Sequence, residues 1–301
     1  MKYDVLVIGA GPAGMTAALY AVRAGLKVGI VSKDIGGTTN SILNLENWPG
    51  FEGSGTKLMK SFYDQLKNYD VKFIMEGVEE IQKNKEGFLL KTKKQKIDCE
   101  SLILATGTER KKLNVPGEKE LTGKGVSYCV TCDAFFFKGK TVTVIGGSDC
   151  AATSALGLSD LAKKVYVIYR GEKLRCEDIN SKRLEEKSNV EIIYNGIPKK
   201  INGDKKVENL EVDVKGELKK IETDGIFIEI GAEPLTKIFE TLGIQTDKGK
   251  YIVVDDEMKT SVEGIFAVGD ITNQKLKQVI VASGQGAIAG KNIYDWIKRK
   301  A

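Results

Sequence analysis

The sequence predicts an α/β protein that contains two Rossmann-like dinucleotide-binding units. A glycine-rich loop at residues 9–14 follows an apolar run and precedes a helical pattern, and a second such loop begins at Gly146 in the same setting. This order of strand, loop and helix is the context in which a dinucleotide-binding fingerprint carries meaning. The length of 301 residues suits about two domains, so each loop can belong to a domain of its own.

The first unit begins with an apolar run at residues 4–8 that is suited to a buried parallel strand. The Gly-x-Gly-x-x-Gly loop at 9–14 follows, then a helical stretch at 15–24 and a second strand at 27–31. The glycines of such a loop allow the tight turn, the close approach of a pyrophosphate and the packing of helix on strand. Because all the flanking elements follow in order, a nucleotide site is favoured over a simple glycine-rich turn.

The second unit repeats this pattern. A strand is expected at residues 140–145, the loop at 146–151, a helix at 152–161 and the next strand at 165–169. Self-similarity of this kind indicates two units of similar build. The second loop is imperfect, because Ser148 stands where a pyrophosphate needs a glycine.

The rest of the chain supplies further elements of an α/β fold. An amphipathic helix is expected at residues 56–69, with the apolar side chains of one face in the core. The remaining expectations are a hairpin at 88–99 that turns near Lys93, strands at 101–105, 224–231 and 264–270, and a last helix from about Gln278.

A pair of cysteines two residues apart precedes the second loop. Cys129 and Cys132 can close and reopen a small disulfide ring, and such motifs often lower the pKa of the attacking thiol. The carboxyl of the adjacent Asp133 can give or take the proton. The alternative is half of a structural zinc site, but zinc takes four ligands, the other three cysteines stand alone and the chain has no histidine. Electron transfer without a metal is therefore the favoured chemistry.

The composition restricts the remaining function classes. The chain is 42% hydrophobic and 29% charged, and no apolar run approaches the roughly 20 residues of a membrane-spanning helix. The lysines behind the net charge of +5 are dispersed, so neither a nucleic acid nor a membrane is expected as a partner. An odd number of scattered cysteines and a strand that starts almost at residue 1 favour the cytoplasm. The lack of histidine excludes Ser-His-Asp hydrolysis, Cys-His proteolysis and histidine-ligated metal catalysis.

Taken in order, these motifs resemble the low-molecular-weight thioredoxin reductases of the flavin disulfide reductase family. The ordered set is the loop at 9–14, Ala-Thr-Gly at 105–107, the dithiol followed by an acid, the second loop, and Ala-Val-Gly-Asp at 267–270. The resemblance covers essentially the whole chain. It extends to Gly36-Gly37, to Glu-Asn-Trp-Pro-Gly at 46–50, to three phenylalanines at 135–137 and to Lys-Gln-Val at 277–279.

The resemblance implies a discontinuous domain that binds FAD. This domain comprises residues 1–112 and 238–301, and the inserted pyridine-nucleotide domain at 113–237 carries the dithiol. Two chain crossings of this kind form a hinge, about which the inserted domain rotates in this family. The residues assigned to FAD by the resemblance are Gly9, Gly11, Pro12, Ala13, Gly14, Gly36, Gly37, Asn47, Ala105, Thr106, Gly107, Gly269, Asp270, Lys277, Gln278 and Val279.

The resemblance also implies roles in catalysis. Cys132 lies against the flavin, Cys129 attacks the disulfide of the partner, and Asp133 is the proton donor and acceptor. The larger disulfide reductases use a histidine and a glutamate as base, and a chain without histidine needs a carboxylate instead. The implied partner is thioredoxin or a thioredoxin-like or glutaredoxin-like protein, and the implied assembly is a homodimer active in cell redox homeostasis. Phe135 and Phe136 are candidates for the docking surface, with core packing as the alternative.

NADPH is the electron donor that the resemblance implies, although the second loop departs from the family pattern. NADPH-dependent members carry His-Arg-Arg after the next strand, where this chain has Tyr169, Arg170 and Gly171. Two arginines can still grip a 2′-phosphate. The residues assigned to the nicotinamide nucleotide are Gly146, Gly147, Ser148, Asp149, Arg170 and Arg175.

Several alternatives stay open on the sequence alone. The donor can instead be NADH, reduced ferredoxin or a reduced deazaflavin. A flavin oxidase or ferredoxin-NADP reductase of the same architecture needs no dithiol, which argues against it. A non-catalytic nucleotide-sensing module, with inert cysteines, is the hypothesis from another class.

Overall fold

The computed structural model describes residues 2–42 and 45–300. The chain divides into two compact units: the first comprises Met1–Glu109 and Glu233–Ala301, and the second comprises Arg110–Ala232. The chain thus leaves the first unit once and returns to it once. The domain boundaries expected from the sequence lie after residues 112 and 237.

The elements follow one another along the chain in three stretches. In the first stretch they are β1 (Tyr3–Ala10), α1 (Pro12–Arg23), β2 (Val28–Ile35), a 3-10 helix (Gly37–Ser41), β3 (Leu45–Trp48), β4 (Phe51–Gly53), α2 (Gly55–Leu66), β5 (Val71–Ile74), β6 (Val78–Asn84), β7 (Gly87–Thr92), β8 (Lys96–Leu104) and β9 (Thr108–Arg110). In the second they are α3 (Glu118–Leu121), β10 (Val126–Ser127), α4 (Val130–Asp133), a 3-10 helix (Ala134–Phe137), β11 (Thr141–Ile145), α5 (Asp149–Ser159), β12 (Lys164–Tyr169), α6 (Asp178–Glu185), β13 (Val190–Tyr194), β14 (Gly196–Asn202), β15 (Asn209–Val214), β16 (Glu217–Glu222) and β17 (Gly225–Ile228). In the third they are β18 (Ala232–Pro234), 3-10 helices (Lys237–Leu242 and Gly269–Ile271), β19 (Ile265–Ala267) and α7 (Val279–Lys300).

The first unit is built on a mixed sheet with the strand order β5-β2-β1-β8-β7-β6, and β19 pairs with β8. Pairing is parallel among β5, β2, β1, β8 and β19, whereas β6, β7 and β8 are antiparallel. The strand expected at 101–105 is the second half of β8, which runs on from the hairpin without a break. All the parallel strands therefore end at one edge, where ligands bind in folds of this class.

The second unit has its own parallel sheet in the order β10-β17-β11-β12-β13. A separate antiparallel sheet, β14-β15-β16, is formed by the chain between β13 and β17 and was not expected from the sequence. The α/β class with two Rossmann-type units is thus confirmed. Within the described ranges, no helix is both long enough and apolar enough to span a bilayer.

Helix starts differ from the expected ones because of their capping residues. α1 begins at Pro12, not at residue 15, since proline suits the first helical position and Gly11 is the N-cap. α2 begins at Gly55, where the Ser54 side chain accepts the Lys57 backbone N–H at 3.2 Å. α5 begins at Asp149, three residues before the expected start, because Ser148 has the extended conformation of an N-cap. Both helices that follow a glycine-rich loop therefore start directly at the loop.

α7 packs closely on α1 and fixes the C-terminal segment against the first loop. A Cβ built on Gly286 would lie 2.3 Å from the Ala13 carbonyl oxygen, so only a glycine permits this approach. At the start of the same contact, the Gln285 side-chain oxygen accepts the Gly269 backbone N–H at 2.7 Å. The turn that carries Asp270 is thereby attached to α7.

Candidate active site

The two cysteines of the dithiol are joined as a disulfide at the start of α4. Cys129 is the N-cap of this helix, and its sulfur accepts the Cys132 backbone N–H at 3.2 Å. Cys129 is half-buried, whereas Cys132 is exposed. An N–H directed at a sulfur favours its negatively charged form. In the disulfide form, such an N–H is already directed at the Cys129 sulfur.

The acid next to the dithiol is held by the same turn. The Asp133 backbone N–H donates to the Cys129 carbonyl at 3.2 Å. The Asp133 Oδ2 accepts a hydrogen bond of 2.6 Å from the Ser127 hydroxyl, and the Ser127 Oγ accepts the Cys129 backbone N–H at 3.0 Å. The sequence analysis missed Ser127, because a single serine at a strand end has no spacing that distinguishes it from a core residue.

A buried carboxylate anchors the segment that leads into the dithiol. Glu118 is 4% exposed and accepts the Leu113 and Asn114 backbone N–H groups at 2.8 and 2.6 Å. It also accepts the Tyr128 hydroxyl at 2.6 Å. Burial, with the Glu118 carboxylate next in importance, raises the pKa of Tyr128. The residue before Cys129 therefore has a fixed position, which the sequence did not indicate.

Three phenylalanines follow the acid in a 3-10 helix, and they divide into two groups. Phe135 and Phe136 are 74% and 69% exposed, whereas Phe137 is buried. The Phe137 ring packs edge-on against Phe227 with 5.3 Å between the ring centroids. Core packing, the alternative weighed for Phe135 and Phe136, applies only to Phe137. Two adjacent aromatic side chains beside a disulfide are an exposed apolar surface of the kind that binds another protein.

The first glycine-rich loop fits a nucleotide pyrophosphate. Gly9 has φ +111°, and a Cβ there would lie 2.3 Å from the Ala105 carbonyl oxygen, so the loop and the end of β8 are in direct contact. At Gly11, a Cβ would meet no atom within 4 Å. The first turn of α1 holds no acidic residue. The loop thus leaves an open space at a helix N-terminus, where backbone N–H groups and the helix dipole attract a phosphate.

The predicted Gly36-Gly37 segment lies against this loop. The Gly36 backbone N–H donates to the Ala10 carbonyl at 2.8 Å, and a Cβ on Gly37 would lie 3.8 Å from the Gly11 Cα. Asp34 accepts the Gly37 backbone N–H at 3.0 Å, so its carboxylate has a local structural role. The ends of β1 and β2 are therefore brought together, as the sequence pattern requires.

The C-terminal candidates form a second group in the first unit. The Asn47 side-chain amide donates to the Gln278 side-chain oxygen at 2.9 Å, although 231 residues separate them. The Lys277 ammonium donates to the carbonyls of Asp270 and Thr272 at 3.0 and 2.5 Å. Burial raises the pKa of the Asp270 carboxyl, and the nearby Lys277 opposes this rise. Among the described residues, that carboxylate accepts no hydrogen bond, so it is available to a ligand hydroxyl.

Two more residues that were predicted to bind FAD, Thr106 and Gly107, contact the segment in which the chain returns to the first unit. The Thr106 hydroxyl donates to the Leu235 carbonyl at 3.3 Å, and the Leu235 backbone N–H donates to the Gly107 carbonyl at 3.2 Å. Thr106 and Gly107 therefore hold the start of the returning segment. Val279 is the first residue of α7.

The second glycine-rich loop differs from the first in the space it leaves. Ser148 has φ −92° and ψ 178°, and Gly11 has φ −77° and ψ −175°, so the two N-caps share one backbone conformation. The side chain of Ser148 therefore fills, in the second loop, the position that corresponds to the open space beside Gly11 in the first loop. The Asp149 carboxylate accepts the Glu177 backbone N–H at 2.7 Å and the Asn180 side-chain amide at 3.1 Å.

Both arginines assigned to the nucleotide are exposed at the end of β12. The Arg175 backbone N–H donates to the Gly147 carbonyl at 2.7 Å, which places this residue beside the loop. Tyr169 packs against Gly147, where a Cβ would lie 2.4 Å from its ring. The structure thus brings the predicted second-loop residues together around the ends of β11 and β12.

A buried ion pair beside the second loop was not anticipated. Glu229 is 3% exposed, pairs with Arg110 and accepts the Ser154 hydroxyl at 3.1 Å. Burial raises the pKa of Glu229, and the Arg110 guanidinium acts against this. The pair joins the first and last segments of the second unit, which lie far apart in the sequence.

The remaining cysteines are free thiols outside the dithiol. Cys99 lies in β8 with an exposed fraction of 1%, and burial raises its pKa to about 12. Cys176 is half-buried, and burial also raises its pKa. Within the described part of the chain, no cluster of three or more histidine, cysteine or acidic side chains is arranged to hold a metal.

Comparison with known proteins gives the class to which this fold and site belong. The family model for pyridine nucleotide-disulphide oxidoreductases matches residues 3–286. The chain is 40% identical over 301 residues to a thioredoxin reductase of Bacillus subtilis (strain 168), covering 98% of this chain and 95% of that protein. The crystal structure of Lactococcus lactis thioredoxin reductase matches with a TM-score of 0.96, 35% identity and 99% coverage of both chains. That of T. acidophilum thioredoxin reductase matches with a TM-score of 0.94, 38% identity and 98% coverage of both. The chain belongs to the pyridine nucleotide-disulphide oxidoreductase family.

The three relatives described above are thioredoxin reductases, so the resemblance inferred from the motifs is confirmed. The chain is an enzyme of the thioredoxin reductase type, and its family implies a flavin cofactor. The Cys129–Cys132 pair fits the redox-active dithiol of such an enzyme. The oxidase and sensor hypotheses are not favoured.

Proposed function

We propose that the chain binds FAD and uses NADPH to reduce the Cys129–Cys132 disulfide, which then reduces the disulfide of thioredoxin. The observation that carries this proposal is the turn at 127–133, where the dithiol, an N–H directed at the Cys129 sulfur and a carboxyl group lie together. When bound, the flavin supplies the two electrons that open the disulfide. The predicted FAD residues of the first unit, from Gly9 to Val279, are those that would hold it.

The exchange with the partner follows from the residues of the turn. The Cys129 thiolate attacks one sulfur of the partner's disulfide, and the other sulfur leaves as a thiolate. Asp133, whose backbone N–H bonds to the Cys129 carbonyl, protonates that leaving group. The Cys132 thiolate then attacks the mixed disulfide at Cys129, which releases the reduced partner and restores the Cys129–Cys132 bond. Two electrons move from the dithiol to the partner.

NADPH is the donor that the exposed Arg170 and Arg175 support, because guanidinium groups bind phosphate strongly. Stopped-flow mixing with NADPH should bleach the flavin band. Replacing both arginines with alanine should lower kcat/KM for NADPH by about ten-fold or more and leave that for NADH nearly unchanged. Lys163→Ala removes an exposed cation at the opposite end of β12 and should change neither value.

A second donor is a candidate because the Ser148 side chain occupies, in the second loop, the position that corresponds to the space beside Gly11 in the first loop. No bleaching at millimolar NADPH would exclude NADPH as the donor. The same experiment with NADH, reduced ferredoxin and a reduced deazaflavin then identifies the reductant. Ser148→Gly should increase the rate of reduction by NADPH if the side chain is what impedes the phosphate.

Thioredoxin, or a similar glutaredoxin-like protein, is proposed to dock on Phe135 and Phe136. Replacing both with alanine should raise KM for thioredoxin by roughly 10- to 30-fold, because exposed aromatic side chains are frequent binding hot spots. Reduction of a small aromatic disulfide reagent should keep its wild-type rate. Leu218→Ala, which removes another exposed apolar side chain of the second unit, is the matched control. An unchanged KM in the double variant would refute the docking surface.

The proposal includes a homodimer in the cytoplasm, with neither nucleic acid nor membrane as a partner. Size-exclusion chromatography with light scattering measures the assembly directly. A mass of one chain at assay concentrations would reject the dimer.

A further inference from the structure

Ser127 links the acid and the dithiol in one closed set of hydrogen bonds. Its hydroxyl donates to the Asp133 Oδ2 at 2.6 Å, and its oxygen accepts the Cys129 backbone N–H at 3.0 Å. The Asp133 backbone N–H returns to the Cys129 carbonyl at 3.2 Å. Ser127 is itself buried, with 5% of its surface exposed. The Asp133 side chain is therefore fixed relative to Cys129 by a single hydroxyl.

That hydroxyl has a second acceptor within reach. The Ser127 Oγ lies 3.3 Å from the Cys129 carbonyl oxygen and can donate to it instead of to Asp133. A hydroxyl carries one proton and two lone pairs, so it donates once and accepts twice. While Asp133 is ionised, the hydroxyl donates to the carboxylate. When Asp133 is protonated, its O–H donates to the Ser127 Oγ, and the serine proton turns to the Cys129 carbonyl.

We propose that Ser127 is a positioning residue that keeps the Asp133 carboxyl hydrogen-bonded beside the dithiol in both of its protonation states. The serine neither gains nor loses a proton overall, since it only rotates its O–H as the proton on Asp133 comes and goes. Asp133 can therefore take up and release the thiol proton without moving away from Cys129. This inference rests on the proposed role of Asp133 as the proton donor and acceptor.

The hydrogen bonds of the Ser127 hydroxyl stay within the turn at 127–133, which distinguishes its role from general packing. Ser127 is the last residue of β10, directly before the segment that carries the dithiol. The hydroxyl hydrogen bonds found for it go to Cys129 and Asp133 alone within the described residues. Removing the hydroxyl leaves the Asp133 carboxylate without this donor and frees its side chain to rotate.

The test compares Ser127→Ala, Asp133→Asn and the double variant as holoenzymes. Each is first reduced chemically and then mixed with oxidised thioredoxin, so that one turnover of disulfide exchange is followed without an external donor. We expect Asp133→Asn to slow exchange by about 100-fold or more, and Ser127→Ala by about ten-fold. In the Asp133→Asn background, Ser127→Ala should have almost no further effect, because the serine acts through the acid. Flavin reduction by dithionite should stay at the wild-type rate in all three.

Ser159→Ala is the matched control, since it removes another buried serine hydroxyl of the second unit, bonded to the Leu156 carbonyl at 2.7 Å. It should leave exchange unchanged. Wild-type exchange in Ser127→Ala, or equal slowing by Ser127→Ala with and without Asp133→Asn, overturns the inference while the acid role stands. Wild-type exchange in Asp133→Asn overturns the acid assignment of the proposed function and this inference with it. Thermal unfolding of each variant separates a loss of stability from a loss of rate.

Discussion

Cys132→Ser is expected to give a yellow protein that binds its flavin normally and reduces no disulfide. The reason is chemical, because a serine oxygen neither forms the bond to Cys129 nor releases the partner from a mixed disulfide. Thioredoxin reduction should fall by at least about a thousand-fold. Flavin content and the absorbance change on reduction with dithionite report on the cofactor, and insulin precipitation through thioredoxin reports on turnover.

Cys129→Ser should fail in the same assay, since it removes the attacking sulfur. Cys150→Ser is the control, because it exchanges sulfur for oxygen at a free thiol of the same unit. After its flavin has been reduced with dithionite, that variant should reduce thioredoxin at the wild-type rate. Appreciable disulfide reduction by a Cys129→Ser, Cys132→Ser double variant would contradict the proposed path of electrons and favour the oxidase hypothesis.

Gly11→Val is expected to weaken flavin binding by about a hundred-fold without unfolding the protein. Gly11 has φ −77°, which any residue adopts, and a Cβ there meets no protein atom within 4 Å. The added methyl groups would therefore occupy only the space that we assign to the pyrophosphate. Titration of the apoprotein with FAD, followed by quenching of flavin fluorescence, gives the dissociation constant.

Gly284→Val provides the matched control for this change. Gly284 is an exposed glycine of α7, and a Cβ there also meets no atom within 4 Å. It should leave the affinity for FAD unchanged. Equal affinity in the Gly11 and Gly284 variants would show that the first loop does not hold the cofactor's phosphates.

The parts of the fold that could be predicted are those encoded by neighbouring residues. An apolar strand, a glycine turn and a helix follow each other within about 25 residues at both loops, so local pattern and backbone sterics are sufficient. The same holds for the dithiol and its acid. Two helices begin at residues 12 and 149, three residues before their predicted starts. The periodicity of apolar residues does not report the backbone conformation on which capping depends.

The parts that could not be predicted depend on contacts between distant residues or on a weak local pattern. Arg110 and Glu229 meet across 119 residues, and neither lies in a motif. The sheet β14-β15-β16 was not predicted, because the lysines in this part of the sequence were interpreted as a solvent-exposed surface. Its strands alternate in burial only weakly, as in β16, where Ile221 alone is buried. Ser127 illustrates the same limit within the site, since a serine becomes informative only when its partners are known.

The buried thiol of Cys99, in β8 of the first sheet, has a consequence for the specificity of disulfide exchange. Thiol–disulfide exchange needs a thiolate, and a group with a pKa of about 12 is almost wholly protonated at physiological pH. Cys99 is also buried, with 1% of its surface exposed. It therefore cannot intercept a mixed disulfide or divert reducing equivalents into a dead-end bond. A protein whose work is to exchange sulfur bonds can in this way keep a cysteine in its interior and remain immune to scrambling by it.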